Sequence, residues 1–335
     1  MAVPTSVSHG VPRFAARALQ TSIGEIVEAL ARYRCCVLTD VADACDAWPL
    51  LLGAARQVHG ADDEIRYRTW GGFHGTWRGY QPSKDDAKAI AVAVNVDPAF
   101  LDSAPPRRFS AFEVGALWPV AAGATSGGLL DTPQPWPDVP GFASEVSEAF
   151  VAALRFGEAL VRRLLASPAL APKAFTPSLD APCSSMRLLR YHAAPTPGEA
   201  HLDYELMTML VSDAPGLEVR DAAGQWRQPE HGPHDLVIMA GDMLEASTRG
   251  AVESGLHRVT ADTDRHSAVI FVGLDYGVEV LVPAIGKRMP FGQYLEGTMV
   301  RTTPHLFSRY EQGTLTLPYP LPEPNPFRGE PWRGQ

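Results

Sequence analysis

His201-Leu202-Asp203 sets an imidazole and a carboxylate two residues apart. On a strand, residues i and i+2 project to one face, so the two side chains converge. A second histidine, His257, opens another β-prone run, Gly255-Leu-His-Arg-Val. Two imidazoles and one carboxylate that leave coordination positions open form the donor set of a mononuclear non-haem iron centre. Alone, a His-x-Asp pair is more often structural. Arg265-His266-Ser267, eight residues after His257, changes that balance. Arg265 and Ser267 share a face by the period of two, and a guanidinium beside a hydroxyl seats a carboxylate through charge-assisted hydrogen bonds.

Upstream, Ser185-Met-Arg-Leu-Leu-Arg-Tyr puts Ser185, Arg187, Leu189 and Tyr191 on one strand face. If Tyr191 faces an iron cavity, so does Arg187. A buried guanidinium requires an anion. That anion is either a carboxylate of substrate or cosubstrate, or a structural ion-pair partner.

These residues need elements to position them. Ile23 to Tyr33 and Ala47 to His59 carry helical apolar spacing, with a short strand at Cys36 to Leu38 between them. Tyr67 to Tyr80 is too rich in glycine for a helix interior, and Gly115 to Pro140 is rich in proline and glycine. Ala143 to Leu165 predicts a long buttressing helix. After Ser184 the texture turns to short strands: Ser185–Tyr191, His201–Val211, Gly216–Arg220, Asp235–Ala240, His257–Thr260 and His266–Leu274. Short strands separated by turn residues predict an antiparallel sandwich or barrel. Pro318 to Gln335 holds six prolines and is expected to be an extended tail.

Composition excludes several classes. The chain has 335 residues, 45% hydrophobic and 20% charged, with a net charge of −9. No basic block offers an electrostatic footprint for nucleic acid. No apolar run approaches a bilayer span, and Met1 to Gly10 lacks the layout of a secretion signal. Cys35, Cys36, Cys45 and Cys183 suit neither a zinc site nor a disulfide framework, and are read as reduced residues of a cytoplasmic protein. A zinc hydrolase would leave Arg265-x-Ser267 without a purpose, and no G-x-S-x-G supports a serine hydrolase.

Several segments resemble the isopenicillin N synthase-like family of Fe(II)/2-oxoglutarate oxygenases. They are HLDY at His201, PGLEVRDAAGQW at Pro215–Trp226, AGD at Ala240–Asp242, LHRV at Leu256–Val259 and RHS at Arg265. WPDVPGF at Trp136–Phe142, RGY at Arg78–Tyr80 and FGQYLEG at Phe291–Gly297 add to the likeness, which runs from Pro12 to Met299. The resemblance implies a mainly β protein with α elements: a double-stranded β-helix (jelly-roll) core at 184–300 and an N-terminal α/β extension at 1–183. A C-terminal lid and tail at 301–335 would complete one integrated domain.

It implies further that His201, Asp203 and His257 bind Fe(II), that Arg265 and Ser267 bind the distal carboxylate of 2-oxoglutarate, and that Tyr191 assists unless it is a core aromatic. O2 would be the oxidant, with ascorbate as a supporting reductant. Oxidative decarboxylation to succinate and CO2 would drive oxidation of a substrate C–H bond, by hydroxylation, desaturation or ring closure. Asp203 argues against halogenation, since halogenases of this superfamily lack the metal carboxylate.

Isopenicillin N synthase itself holds its substrate's carboxylate on the Arg-x-Ser pair and uses no 2-oxoglutarate. An oxidase of that type is therefore the alternative, and a noncatalytic metal-binding barrel a remote one. Substrate contacts are expected from Arg187, Arg78, Tyr80, Ser185, Tyr204 and Phe73, with Trp70, Trp77 and Glu205 nearby and Phe291 and Tyr294 as a lid. The expected substrate is small and carboxylate-bearing, a specialised metabolite or amino-acid derivative. No protein, membrane or nucleic-acid partner is implied.

Overall fold

The computed structural model describes residues 10–19, 21–41, 45–95, 108–120, 128–170, 174–175, 177–193, 198–282 and 287–317. The proline-rich tail at 318–335 lies outside them. Helices are α1 (Ile23–Tyr33), α2 (Ala47–His59), α3 (Asp63–Arg68), α4 (Gly71–His74), α5 (Lys84–Ala93), α6 (Phe142–Ala166), α7 (Asp242–Ser247), α8 (Phe291–Thr302) and α9 (Pro304–Glu311). The early strands are β1 (Arg13–Ala15), β2 (Cys35–Thr39), β3 (Gly79–Gln81), β4 (Phe109–Val114) and β5 (Ser185–Tyr191). Then come β6 (Met207–Ser212), β7 (Leu217–Arg220), β8 (Trp226–Arg227), β9 (Leu236–Ala240), β10 (His257–Val259), β11 (Arg265–Val272), β12 (Glu279–Val282) and β13 (Lys287–Pro290).

Eight strands form the major sheet in the order β1-β2-β9-β6-β11-β5-β4-β3, and β10-β7-β8 form a minor sheet. Apart from the parallel β1–β2 pair, every pairing in these two sheets is antiparallel. This is the jelly-roll expected of the core. The major sheet interleaves β1 to β4 with β5, β6, β9 and β11, so residue 184 is no structural boundary.

Alternation gives the major sheet two apolar faces. On one, Ala268, Ile270 and Val272 of β11 join Met186 and Leu188 of β5, Phe112 of β4 and the buried stripe of α6. On the other, Val269 and Phe271 join Leu189, Ala111, Val237 and Met239, together with Leu217, Val219 and Val259 of the minor sheet. The adjacent Cys35 and Cys36 therefore belong to opposite faces. The first face is packed by helices, and the second carries the site.

Three local expectations are corrected. His201 to Val211 is not one strand: β6 begins at Met207, and His201 makes only an isolated bridge to His257. The cause is α7, whose first amides need acceptors that the helix cannot supply. Asp242 N–H donates to the Asp203 carbonyl and Met243 N–H to the Glu205 carbonyl, drawing 203–205 away from a ladder. Gly71–His74 forms a one-turn helix inside the glycine-rich stretch. Phe291 and Tyr294, expected in a lid, are buried in the core on α8.

Candidate metal and carboxylate site

His201, Asp203 and His257 come together although the first two lie outside a regular strand. Their donor atoms all lie within 4.8 Å of one another. His201 and His257 exchange both backbone hydrogen bonds, at 2.9 and 3.0 Å, and their rings stand 4.3 Å apart. His257 Nε2 is 3.7 Å from Asp203 Oδ2. Each Nδ1 faces a carbonyl, Glu199 at 3.3 Å for His201 and Gly255 at 2.9 Å for His257. A carbonyl only accepts, so each Nδ1 carries the proton and Nε2 is left as the basic nitrogen. Burial, and then the neighbouring His257, push His201 down to about 4 against the pull of Asp203. Its ring is neutral at physiological pH, as a ligand must be.

Thr208 on β6 donates its hydroxyl to Asp203 Oδ2 and fixes that carboxylate. Glu205 and Asp242, both buried, are pushed up to about 8, chiefly by burial, with Asp203 adding repulsion to each. Gly241 permits this crowding. A Cβ there would lie 2.2 Å from the Glu205 carbonyl oxygen and 3.2 Å from that of Asp203.

The carboxylate seat lies on β11 and the neighbouring β5. Arg265 pairs with Tyr191 and Ser267 with Leu189 in register. Arg265 is wholly buried. Its Nε donates to the Ala214 carbonyl at 2.9 Å, and its Cζ lies 5.4 Å from the Tyr191 ring centroid. Both terminal amino groups, and the buried Ser267 hydroxyl, find no hydrogen-bond partner among the described residues. A dry guanidinium with two idle amino groups beside an idle hydroxyl is a vacancy in hydrogen bonding that one carboxylate would fill.

Two pairs further along the same face, Arg187 stands opposite Val269, about 13 Å from the Arg265 pair at strand rise. The anion that its burial demands is Glu113 of β4, its register partner, which accepts from Arg187 Nε at 2.7 Å. Burial disfavours the charge on Arg187, but Glu113 and Asp203 more than offset that, and its pKa is raised. Ser185 completes the column opposite Phe271. Arg78 joins it from another direction. A Cβ on Gly115 would project to the face of Glu113, two residues earlier, and would meet Arg78 Cζ at 2.4 Å. The Arg78 guanidinium thus fills the place beyond Glu113. It donates to the Leu130 carbonyl, and burial pushes it down to about 10.

Other expected substrate contacts fare differently. Tyr204 is near the triad: burial raises its phenol, Asp203 raises it further, and Arg187 acts against both. Tyr80 is corrected. It pairs with Phe112 on the helix-covered face, and its hydroxyl donates to Asp86 at 3.1 Å and accepts from Arg66 at 3.2 Å. The alternation that puts Gly79 and Gln81 toward the site turns Tyr80 away. Phe73 is 61% exposed on α4, its ring against Tyr67 and His74. Glu113 and Thr208 were not singled out from sequence. The available signal for Glu113 was a lone acid inside the β-prone run Phe109–Val114.

Residues 182–274 match the family model of the 2OG-Fe(II) oxygenase superfamily. The 2-oxoglutarate-dependent dioxygenase citB of Monascus ruber is 36% identical over 115 residues, covering 30% of this chain and 35% of citB. The homoarginine-6-hydroxylase 2-ODD-C23.1 of Arabidopsis thaliana is 29% identical over 160 residues, 43% of this chain and 47% of that protein. The chain therefore spans between a third and a half of these relatives' lengths. Among solved structures, a full-length Neurospora crassa protein in complex with alpha-KG and thymine superposes with a TM-score of 0.67 at 19% identity. That match covers 90% of this chain and 99% of the Neurospora chain. The rice dioxygenase for auxin oxidation superposes with a TM-score of 0.61 at 20% identity, over 91% of this chain and 96% of that one.

Proposed function

We propose that the chain, whose residues 182–274 match the family model of the 2OG-Fe(II) oxygenase superfamily, is an Fe(II)/2-oxoglutarate-dependent dioxygenase acting on a C–H bond of a small molecule. One observation carries this reading: the orphaned amino groups of the buried Arg265 beside the orphaned Ser267 hydroxyl, on the sheet face that holds the triad. The residues fit both implied groups. His201, Asp203 and His257 supply two imidazole nitrogens and one carboxylate, the donor set that suits Fe(II) and leaves positions open. Arg265 and Ser267 supply what the distal carboxylate of 2-oxoglutarate needs. When bound, the metal and cosubstrate supply activation of O2 for oxidation of the substrate.

The chain's own residues do the placing. The Nδ1 hydrogen bonds of the two histidines fix ring orientation, and Thr208 fixes the Asp203 oxygen that it binds. Arg265 and Ser267, both buried, would hold the far end of the cosubstrate. The wall of Arg187, Glu113, Ser185 and Arg78 faces the substrate. Relatives named as 2-oxoglutarate-dependent dioxygenases support this cosubstrate over an oxidase that works without it.

The test is an anaerobic titration of the metal-free protein with Fe(II) and then 2-oxoglutarate, followed by the visible charge-transfer band of the chelate. The band is expected in the wild type and lost in Arg265→Ala at the same cosubstrate concentration. Iron binding with no band at saturating 2-oxoglutarate would refute the cosubstrate and give the Arg265 seat to a substrate carboxylate.

A further inference from the structure

We propose that the Glu113–Arg187 pair is the specificity element of this site, and that it selects a substrate presenting a neutral carboxamide edge, a C=O beside an N–H, rather than a free carboxylate. The inference rests on the site being the one proposed above and names its substrate class.

Arg187 and Glu113 are register partners on neighbouring strands of the site face, joined at 2.7 Å through Nε. That bond occupies one donor of the guanidinium and one oxygen of the carboxylate. The two terminal amino groups of Arg187 and the second oxygen of Glu113 make no hydrogen bond among the described residues. The Arg187 side chain keeps 28% exposure in mid-strand, so the pair opens on a space that a ligand reaches. The Phe271 ring flanks the guanidinium at 5.4 Å and offers a flat apolar wall. Val269, the register partner of Arg187, continues that wall. Asp203 is within electrostatic range of the guanidinium, which ties the pair to the triad.

Charge balance then decides the ligand. The pair is already neutral in sum. A carboxylate on the amino groups of Arg187 would set a second anion beside Glu113, and Arg78, the other cation of this wall, donates to the Leu130 carbonyl and has Asp131 as its counter-charge, so the newcomer would stay unbalanced and lose its own hydration. A zwitterionic amino acid would add two further charges to be desolvated. A carboxamide edge gives its carbonyl to the Arg187 amino groups and its N–H to the free Glu113 oxygen. Both open valences are then filled by charge-assisted hydrogen bonds with no new charge buried. A planar amide also lies well against the Phe271 ring. An amide, lactam, imide or ureide all present this edge.

The experiment uses the full chain loaded with Fe(II) under argon with 2-oxoglutarate. It follows paramagnetic broadening of three probe molecules of similar size: δ-valerolactam, valerate and norvaline. The lactam is expected to bind most tightly. Glu113→Gln keeps the shape and the bond to Arg187 Nε but removes the anionic acceptor, and is expected to weaken the lactam about tenfold while tightening valerate. In the double variant Arg187→Met with Glu113→Gln, no preference among the probes should remain.

Tighter binding of valerate or norvaline by the wild type overturns the proposal. So does a lactam dissociation constant within twofold of wild type in Glu113→Gln. The wild-type order of the three probes stands as a test even if a variant fails to fold. Failure of the cosubstrate reading would show instead as absence of the optical band, with the probe order read on the Fe(II)-loaded protein alone.

Discussion

Replacing Arg265 by Met should leave the ligand-free protein at least as stable as the wild type while all but abolishing its stabilisation by 2-oxoglutarate. The side chain is wholly buried, holds one hydrogen bond, to the Ala214 carbonyl at 2.9 Å, and leaves both terminal amino groups idle. Burial, its largest influence, lowers its pKa, with Tyr191 and Asp213 in partial opposition. A buried charge without a counter-ion costs several kcal/mol, and an apolar residue of similar volume in such a place is neutral or stabilising by about 1–4 kcal/mol. The idle groups return their value only when a carboxylate arrives. Two charge-assisted hydrogen bonds at about 1.5–3 kcal/mol each correspond to roughly 10²–10⁴-fold in affinity for 2-oxoglutarate.

The assay is thermal unfolding of the Fe(II)-loaded protein under argon. With 2-oxoglutarate at a hundred times its wild-type dissociation constant, the wild type gains about 2.7 kcal/mol. At about 2 °C per kcal/mol for a chain of this size, that is a rise of about 5 °C. Arg265→Met should rise by less than about 1 °C at the same concentration, and should melt at or above the wild type without ligand. A variant that melts well below the wild type and still rises with 2-oxoglutarate would refute the reasoning, because the guanidinium would then be a satisfied structural group.

Three further perturbations bear on the same elements. Thr208→Val removes the donor to Asp203 in an isosteric change and should weaken Fe(II) binding about 10–100-fold, read by anaerobic competition with a chelator. An affinity within twofold of wild type would show that the hydroxyl does not set the carboxylate. Gly241→Ala drives a Cβ against the Glu205 and Asp203 carbonyls and should weaken iron at least about tenfold with unchanged helix content by circular dichroism. Unaltered affinity there would mean that the chain around Asp203 yields freely. His59 is buried and pushed down to about 3 by burial, while its Nε2–H donates to the Leu188 carbonyl at 3.0 Å. The unfolded chain takes up this proton at the ordinary value of 6.5 and the folded chain does not, so stability falls as pH drops from 6.5 toward 3. The loss is about 1.4 kcal/mol per pH unit in that window. His59→Gln keeps a donor for Leu188 and should flatten the slope of urea midpoints between pH 7 and 4.5; equal slopes would place the acid sensitivity elsewhere.

The parts of this molecule that the sequence disclosed are those whose cause is local. Helices α1 and α2 fall on the expected residues because their apolar spacing is enough to define them. Arg265, Ser267, Tyr191 and Arg187 share a face because alternation along β5 and β11 is set by backbone geometry alone. What stayed hidden depends on chain segments that meet only in the fold. The break between His201 and β6 arises because α7, some forty residues on, needs carbonyl acceptors for its first amides. Tyr80 carries a motif resemblance, yet its direction follows from pairing with β4, a strand that was not foreseen. The same strand brings Glu113 to Arg187. Alternation could say that Arg187 needs an anion but not that a neighbouring strand supplies it, and on that difference turns the expected substrate. An unpaired Arg187 would seek a carboxylate, whereas an Arg187 already neutralised by Glu113 favours a ligand that carries no charge.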